Sequence, residues 1–318
     1  MRNNSLDLAK FVACGLVVSL HVGVISELGE FGAEAINAIA RLAVPFFFIS
    51  SGYLFGISKN KDILKNVDKL ASVFIASCVL YAGLTLVLSG FKVGPFVEKV
   101  FDVKTLYVGT YFHLWFICSM TFGYLILRFF DSRNMDVTAT IISFIILFAA
   151  WWFDVVRSKS IEINTFFFFR EIMSFSFLWI GVLIARTGHK LKLSSSISLL
   201  LVSIAAIVAE EIYLKETMGY DVYSRQLPLF SIVAAYASLM LCISINVREN
   251  LFSNLGKKYS LGIYIIHPIW IMFYFKLMSF ASINYPSLVA ILSLVSSAIS
   301  LAILRMVSPK AFSIINGS

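Results

Sequence analysis

Ten continuous apolar runs dominate this chain, at about residues 8–28, 37–57, 70–90, 112–130, 138–154, 170–186, 194–212, 228–246, 259–277 and 286–306. A helix crosses the hydrocarbon core of a bilayer in roughly 20 mostly apolar residues. The runs are unbroken rather than alternating, which excludes a transmembrane β-barrel. They predict an all-α bundle of about ten transmembrane helices. The 318 residues are 59% hydrophobic and only 14% charged, against roughly a quarter charged in soluble domains, so a soluble fold has no interior large enough for them. Spans and short loops use up the length. We find no internal repeat, low-complexity tract or long linker, and expect one integral-membrane domain over 1–318. The run Phe166–Phe169 either opens the sixth span or forms an interfacial aromatic belt.

Charge sets the expected orientation. With the N-terminus in the cytoplasm, sixteen of the 26 Lys and Arg residues fall on the inner side, against six of the 18 Asp and Glu residues. The positive-inside rule then predicts that both termini are cytoplasmic, in keeping with an even number of spans. The net charge of +8 is therefore mostly topological, with attraction to membrane lipid head groups, and does not signal nucleic acid. The same charges in the loops 59–69 and 186–192 would also draw a cytoplasmic anion. Arg2 and Lys61 belong to this inner set. No cleavage site follows Met1–Lys10, so the first span is expected to stay uncleaved. Cys14, Cys78, Cys118 and Cys242 all fall in apolar runs without ligand spacing, and read as small buried side chains rather than disulfides or metal ligands.

Ionisable groups inside spans are costly and mark candidate sites. Asp7, Lys10, Cys14 and His21 are spaced by three, four and seven residues, which puts them on one helix face. Lys10 stands near the inner mouth and His21 roughly 16 Å further along the axis. An imidazole there is a recyclable proton acceptor or a hydrogen-bonding partner between helices. The second run opens on Arg41 and contains Pro45, Ser51, Gly52 and Tyr53. Pro45 lacks a backbone donor, and Ser51-Gly52 permits close backbone approach, so we read this segment as a cavity wall. Arg41 either faces developing negative charge or pairs with an outer carboxylate such as Glu34. No GxxxxGK, GxGxxG, GxSxG or HExxH occurs, which leaves nucleotide hydrolysis, dinucleotide chemistry, serine hydrolysis and zinc proteolysis without support.

Lys10-x10-His21 followed by Arg41-x3-Pro45-Phe46-Phe47-Phe48-x2-Ser51-Gly52-Tyr53 resembles the membrane acyltransferase family 3. His113-Leu114-Trp115-Phe116 and the stretch Tyr259–Pro268 match the family in the same order. The chain departs from the family pattern in carrying lysine rather than arginine at Lys10. It also has Leu64–Lys69 where an Arg-x-x-Arg is usual, and no additional C-terminal domain of the kind some members carry is expected. The resemblance implies a multi-pass acyltransferase of the bacterial inner membrane. Its donor substrate would be cytoplasmic acetyl-CoA, with no tightly bound cofactor and no metal. The acceptor would be a hydroxyl of a cell-surface or lipid-linked saccharide. His21 would be general base or acyl carrier, and Arg41 would serve the oxyanion or orient the sugar. Lys10, Lys59, Lys61, Lys65 and Lys69 would meet the donor's phosphates, with Ser51, Gly52 and Tyr53 nearby. His113 and Trp115 form either a sugar platform or an interfacial anchor. His267 reads as helix packing, Arg170-Glu171 and Glu210-Glu211 as solvated helix caps, and His189 as part of a solvated loop. The competing classes are a transporter or flippase for a lipid-linked sugar or small solute, which Pro-broken spans also suit, and a non-catalytic partner of a polysaccharide synthase.

Overall fold

The computed structural model describes residues 3–59, 62–158, 165–245 and 247–317; Arg2 and Lys61 lie outside them. The chain is 83% helix, without strands among the described residues. In chain order the helices are α1 (Asn4–His21), α2 (Gly29–Ala40), α3 (Ala43–Ile57), α4 (Ile63–Leu88), α5 (Val93–Phe101), α6 (Thr105–Val108) and α7 (Trp115–Asp131). They continue with α8 (Asp136–Ser158), α9 (Thr165–Thr187), α10 (Leu193–Met218), α11 (Leu229–Ser244), α12 (Leu251–Phe280), α13 (Pro286–Val307) and α14 (Pro309–Asn316).

Local chemistry explains several starts. Asn3 caps α1 by accepting the Leu6 N–H at 3.0 Å, and Asp62 caps α4 through Lys65 N–H at 3.1 Å. Asn250 and Ser253 form a reciprocal capping box at the head of α12. Pro286 supplies the first residue of α13, where its missing donor costs nothing.

Eight stretches are long and apolar enough to cross a membrane, one of them the α2–α3 unit over Ser26–Ile57. This is a multi-pass membrane protein built as a polytopic helical bundle. The two other expected spans are helices as well. However, α1 carries Asp7, Lys10 and His21, and α11 has only 16 residues. Two boundaries differ from expectation. The first helix stops at His21 rather than 28, and the next segment starts at Ser26 instead of 37, with a turn at Arg41-Leu42 dividing it. Pro45 therefore sits in the first turn of α3, where its missing N–H leaves no helical carbonyl stranded. Phe166–Phe169 belongs to α9, with Phe166 fully buried and Phe168 exposed.

Small residues bring the central helices together. A Cβ on Gly52 would strike the backbone carbonyl of Leu178, and one on Gly181 would strike that of Ile49, so α3 and α9 touch backbone to backbone. Gly256 plays the same part where α12 crosses α1 beside the Asp7 carbonyl. These contacts fix α1, α3, α9 and α12 around the centre of the bundle, and the ends of α1 and α3 define the site.

Candidate functional site

Pro268 sits inside the continuous helix α12 and withholds the N–H that the Tyr264 carbonyl would otherwise use. The next carbonyl, Ile265, collects two side-chain donors: the Tyr81 hydroxyl at 2.6 Å and His113 Nε2 at 3.1 Å. Three of the four histidines converge there. The ring of His21 lies 4.9 Å from that of His267 and 6.4 Å from that of His113, centre to centre. His267 Nε2 is 3.1 Å from His21 Nδ1. His267 was read from the sequence as packing; it is fully buried and in direct contact with the proposed base. His113 is corrected too. It is wholly buried rather than an outer sugar platform, and its backbone carbonyl accepts the Tyr264 hydroxyl.

The hydrogen-bond partners fix the tautomers. His267 Nδ1 faces the Ile263 carbonyl at 3.1 Å, a pure acceptor, so Nδ1 carries the hydrogen and Nε2 the lone pair of the neutral ring. His21 Nδ1 faces the Val17 carbonyl at 2.8 Å and that Nε2 lone pair, both acceptors. His21 therefore carries its hydrogen on Nδ1 and a lone pair on Nε2. An imidazole in this state takes up a proton at Nε2.

His21 lines a cavity of about 310 Å³ together with Arg41, Trp115, Arg170, Gln226 and Tyr264. Arg41, at the α2–α3 junction, does not bond Glu34, which pairs with Lys215 at 2.8 Å. Its Nη2 donates to the Tyr223 carbonyl at 3.0 Å and to Asn37 Oδ1 at 3.3 Å, while its buried Nε finds no hydrogen-bond partner among the described residues. Arg170 stacks over the Trp115 ring at 4.5 Å and pairs with Glu171 at 2.8 Å. Both residues of this pair are buried, not a solvated cap. Glu210 and Glu211 are not solvated caps either: with Asp154 they hold the buried Arg225 at 2.9, 3.2 and 3.3 Å. Asp154 also accepts the backbone N–H groups of Gln226 and Leu227, each at 2.9 Å. This network pins the α10–α11 loop so that Gln226 lines the cavity and the Tyr223 carbonyl meets Arg41. Gln226 escaped the sequence reading, and Arg170 and His267 were read there only as a solvated cap and helix packing, because their contacts with Trp115 and His21 come from distant segments.

A second cavity, about 320 Å³, is lined by Lys10, Lys69, Lys257 and Lys258, with Asn66 and Ser51. Tyr264 lines both cavities, its ring 4.9 Å from that of Phe116. Of the lysines expected at an inner mouth, Lys10 and Lys69 are here, whereas Lys59 and Lys65 do not line it. Lys257 and Lys258 were recognised only as loop charge. Tyr53 faces a third cavity beyond Lys10, with Lys190. Gly52 is a packing residue against α9 rather than a cavity wall. His189 is exposed and meets the Tyr236 hydroxyl at 2.9 Å. No group of three His, Cys, Asp or Glu side chains among the described residues is arranged to hold a metal ion.

Residues 3–305 match the model of the acyltransferase domain of family 3. The chain belongs to the acyltransferase family 3. Among curated proteins it is similar to an amino-acid racemase of Enterococcus faecalis, 24% identical over 324 aligned residues covering 95% of this chain and 45% of the relative. A serine/alanine racemase of Enterococcus gallinarum is 25% identical over 243 residues, 67% of this chain and 34% of that protein. The chain thus spans less than half the length of these relatives. No solved structure matches it.

Proposed function

We propose that this family 3 acyltransferase moves an acetyl group from acetyl-CoA, bound from the cytoplasm of a bacterium, to a hydroxyl of a cell-surface or lipid-linked saccharide at the inner membrane. The observation that carries this reading is the pair of cavities that share Tyr264 in their linings, one ringed by lysines and the other holding His21. Lysine ammonium groups suit the phosphates of the donor. A thioester arm threaded past Tyr264 reaches the His21 cavity, whose aromatic and cationic lining suits a polar acceptor.

The acceptor hydroxyl gives its proton to His21 Nε2 as its oxygen bonds to the thioester carbon. The carbon–sulfur bond then breaks, and the departing thiolate recovers the proton, leaving ester, free thiol and neutral imidazole. The guanidinium of Arg41, with that of Arg170, faces the negative charge that develops on the carbonyl oxygen. In the acyl-carrier variant the same Nε2 attacks the thioester first.

The test is transfer of labelled acetyl from acetyl-CoA to envelope saccharide, comparing the intact protein with His21→Ala at equal membrane levels. Base-labile label that depends on the protein and on His21 supports the reading. No transfer from the intact protein in the presence of the native acceptor overturns it and favours the transporter or flippase.

A further inference from the structure

We propose that His267 is a positioning residue that works with His21 as a two-imidazole unit. The proposal rests on the acyl-transfer reading above for its kinetic consequence, but its structural core stands alone: the Nε2 lone pair of His267 accepts the Nδ1–H of His21. Three observations support it. The two nitrogens are 3.1 Å apart. The Ile263 carbonyl at 3.1 Å holds the His267 hydrogen on Nδ1, away from His21. His267 is fully buried, next to Pro268 within α12.

The Val17 carbonyl alone also accepts the Nδ1–H of His21, at 2.8 Å. That contact is local to α1 and orients the ring only relative to its own helix. The His267 contact joins α1 to α12 and fixes the ring relative to Tyr264, three residues before it on α12, which lines both cavities. It also supplies a second acceptor for the Nδ1–H at the moment Nε2 is protonated, when that bond becomes charge-assisted and stronger. The proton itself stays with His21 until the thiolate takes it. The other titratable and charged groups around His21 are His113 beside its ring and Arg41, Arg170 and Tyr264 in its cavity; none of them is hydrogen-bonded to Nδ1.

Only four histidines occur in the chain, so a ¹⁵N-histidine spectrum of the full-length protein in lipid nanodiscs is assignable by single substitutions. The expected result is that His21 and His267 both carry hydrogen on Nδ1, with His21 Nδ1–H coupled through the hydrogen bond to His267 Nε2. A spectrum with His21 protonated on Nε2, or without that coupling, overturns the proposal whether or not the protein transfers acetyl. The kinetic arm compares His267→Leu with His267→Gln, whose side-chain oxygen can again accept the Nδ1–H. We expect His267→Leu to lower kcat at least tenfold with donor KM within about twofold, and His267→Gln to recover most of the loss. Equal kcat in all three proteins, or equal loss in both variants at unchanged thermal stability, overturns the positioning role.

Discussion

At the scale of single residues, the two cavities predict different kinetic defects. Lys69 and Lys257 line the lysine-rich cavity, away from His21. A hydrogen bond to a charged group contributes about 1.5–3 kcal/mol. Lys69→Gln or Lys257→Gln should therefore raise the donor KM roughly tenfold or more while kcat changes little, as read from initial rates over a range of acetyl-CoA. Arg41 belongs to the other cavity, and its bonds to Asn37 and the Tyr223 carbonyl aim the guanidinium beside His21. Loss of one donor to a developing oxyanion costs about 10²–10³ in rate. Arg41→Gln should lower kcat by that order with the donor KM unchanged. A change in donor KM alone would move Arg41 out of the chemistry. The kinetic split also separates the roles that charge alone leaves merged.

At the scale of helices, glycine contacts and a buried ion network hold the site in place. The Gly52 position has no room for a methyl group, because the Leu178 backbone occupies that space. Overpacking of this kind costs about 1–3 kcal/mol. Gly52→Ala should lower the thermal midpoint in detergent and reduce transfer, whereas Gly83→Ala on α4, with open space around it, should change neither. Asp154 joins Arg157 and Arg225 and ties down the Gln226 loop. Removing one member of a buried ion cluster strands its partners and costs about 3–5 kcal/mol. Asp154→Ala should thus destabilise the protein more than Gly52→Ala does, measured by the same unfolding midpoint.

These elements also show what the sequence could and could not reveal. Lys10 and His21 were legible because both lie on α1, where spacing alone puts them on one helix face, although they line different cavities. Arg41 was legible because it is a charge in an apolar run. His267 stands 246 residues from His21, and no local pattern distinguishes its contact from ordinary helix packing. Arg170, Glu210 and Glu211 fall near the ends of their apolar runs, where solvation is the natural reading; Arg225 from the α10–α11 loop pairs with Glu210 and Glu211, and Arg170 is buried against Trp115 and Glu171. Gly52 was correctly suspected of a close backbone approach, but to α9 rather than to a substrate.

At the scale of the whole molecule, the two cavities impose a direction. The lysine-rich cavity contains α1, α4 and α12 residues from the end of the bundle where Lys190 also lies; the α10–α11 loop with Asp221 is reached after the length of α10, 26 residues on. An α-helix rises 1.5 Å per residue, so the two loops stand roughly 39 Å apart along that helix, more than the hydrocarbon thickness. Acetyl-CoA is made in the cytoplasm, so the proposed route requires the lysine end to face inward, in agreement with the charge asymmetry of the loops. Both Lys190 and Asp221 are exposed. In a variant with Cys14, Cys78, Cys118 and Cys242 replaced, Asp221→Cys should react with a membrane-impermeant maleimide on intact cells, and Lys190→Cys only after permeabilisation. The reverse pattern would put the lysine cavity on the outer face, where no acetyl-CoA is available. It would leave the His21 cavity intact as geometry but deprive it of its donor, so topology decides the chemistry as firmly as any residue in the site.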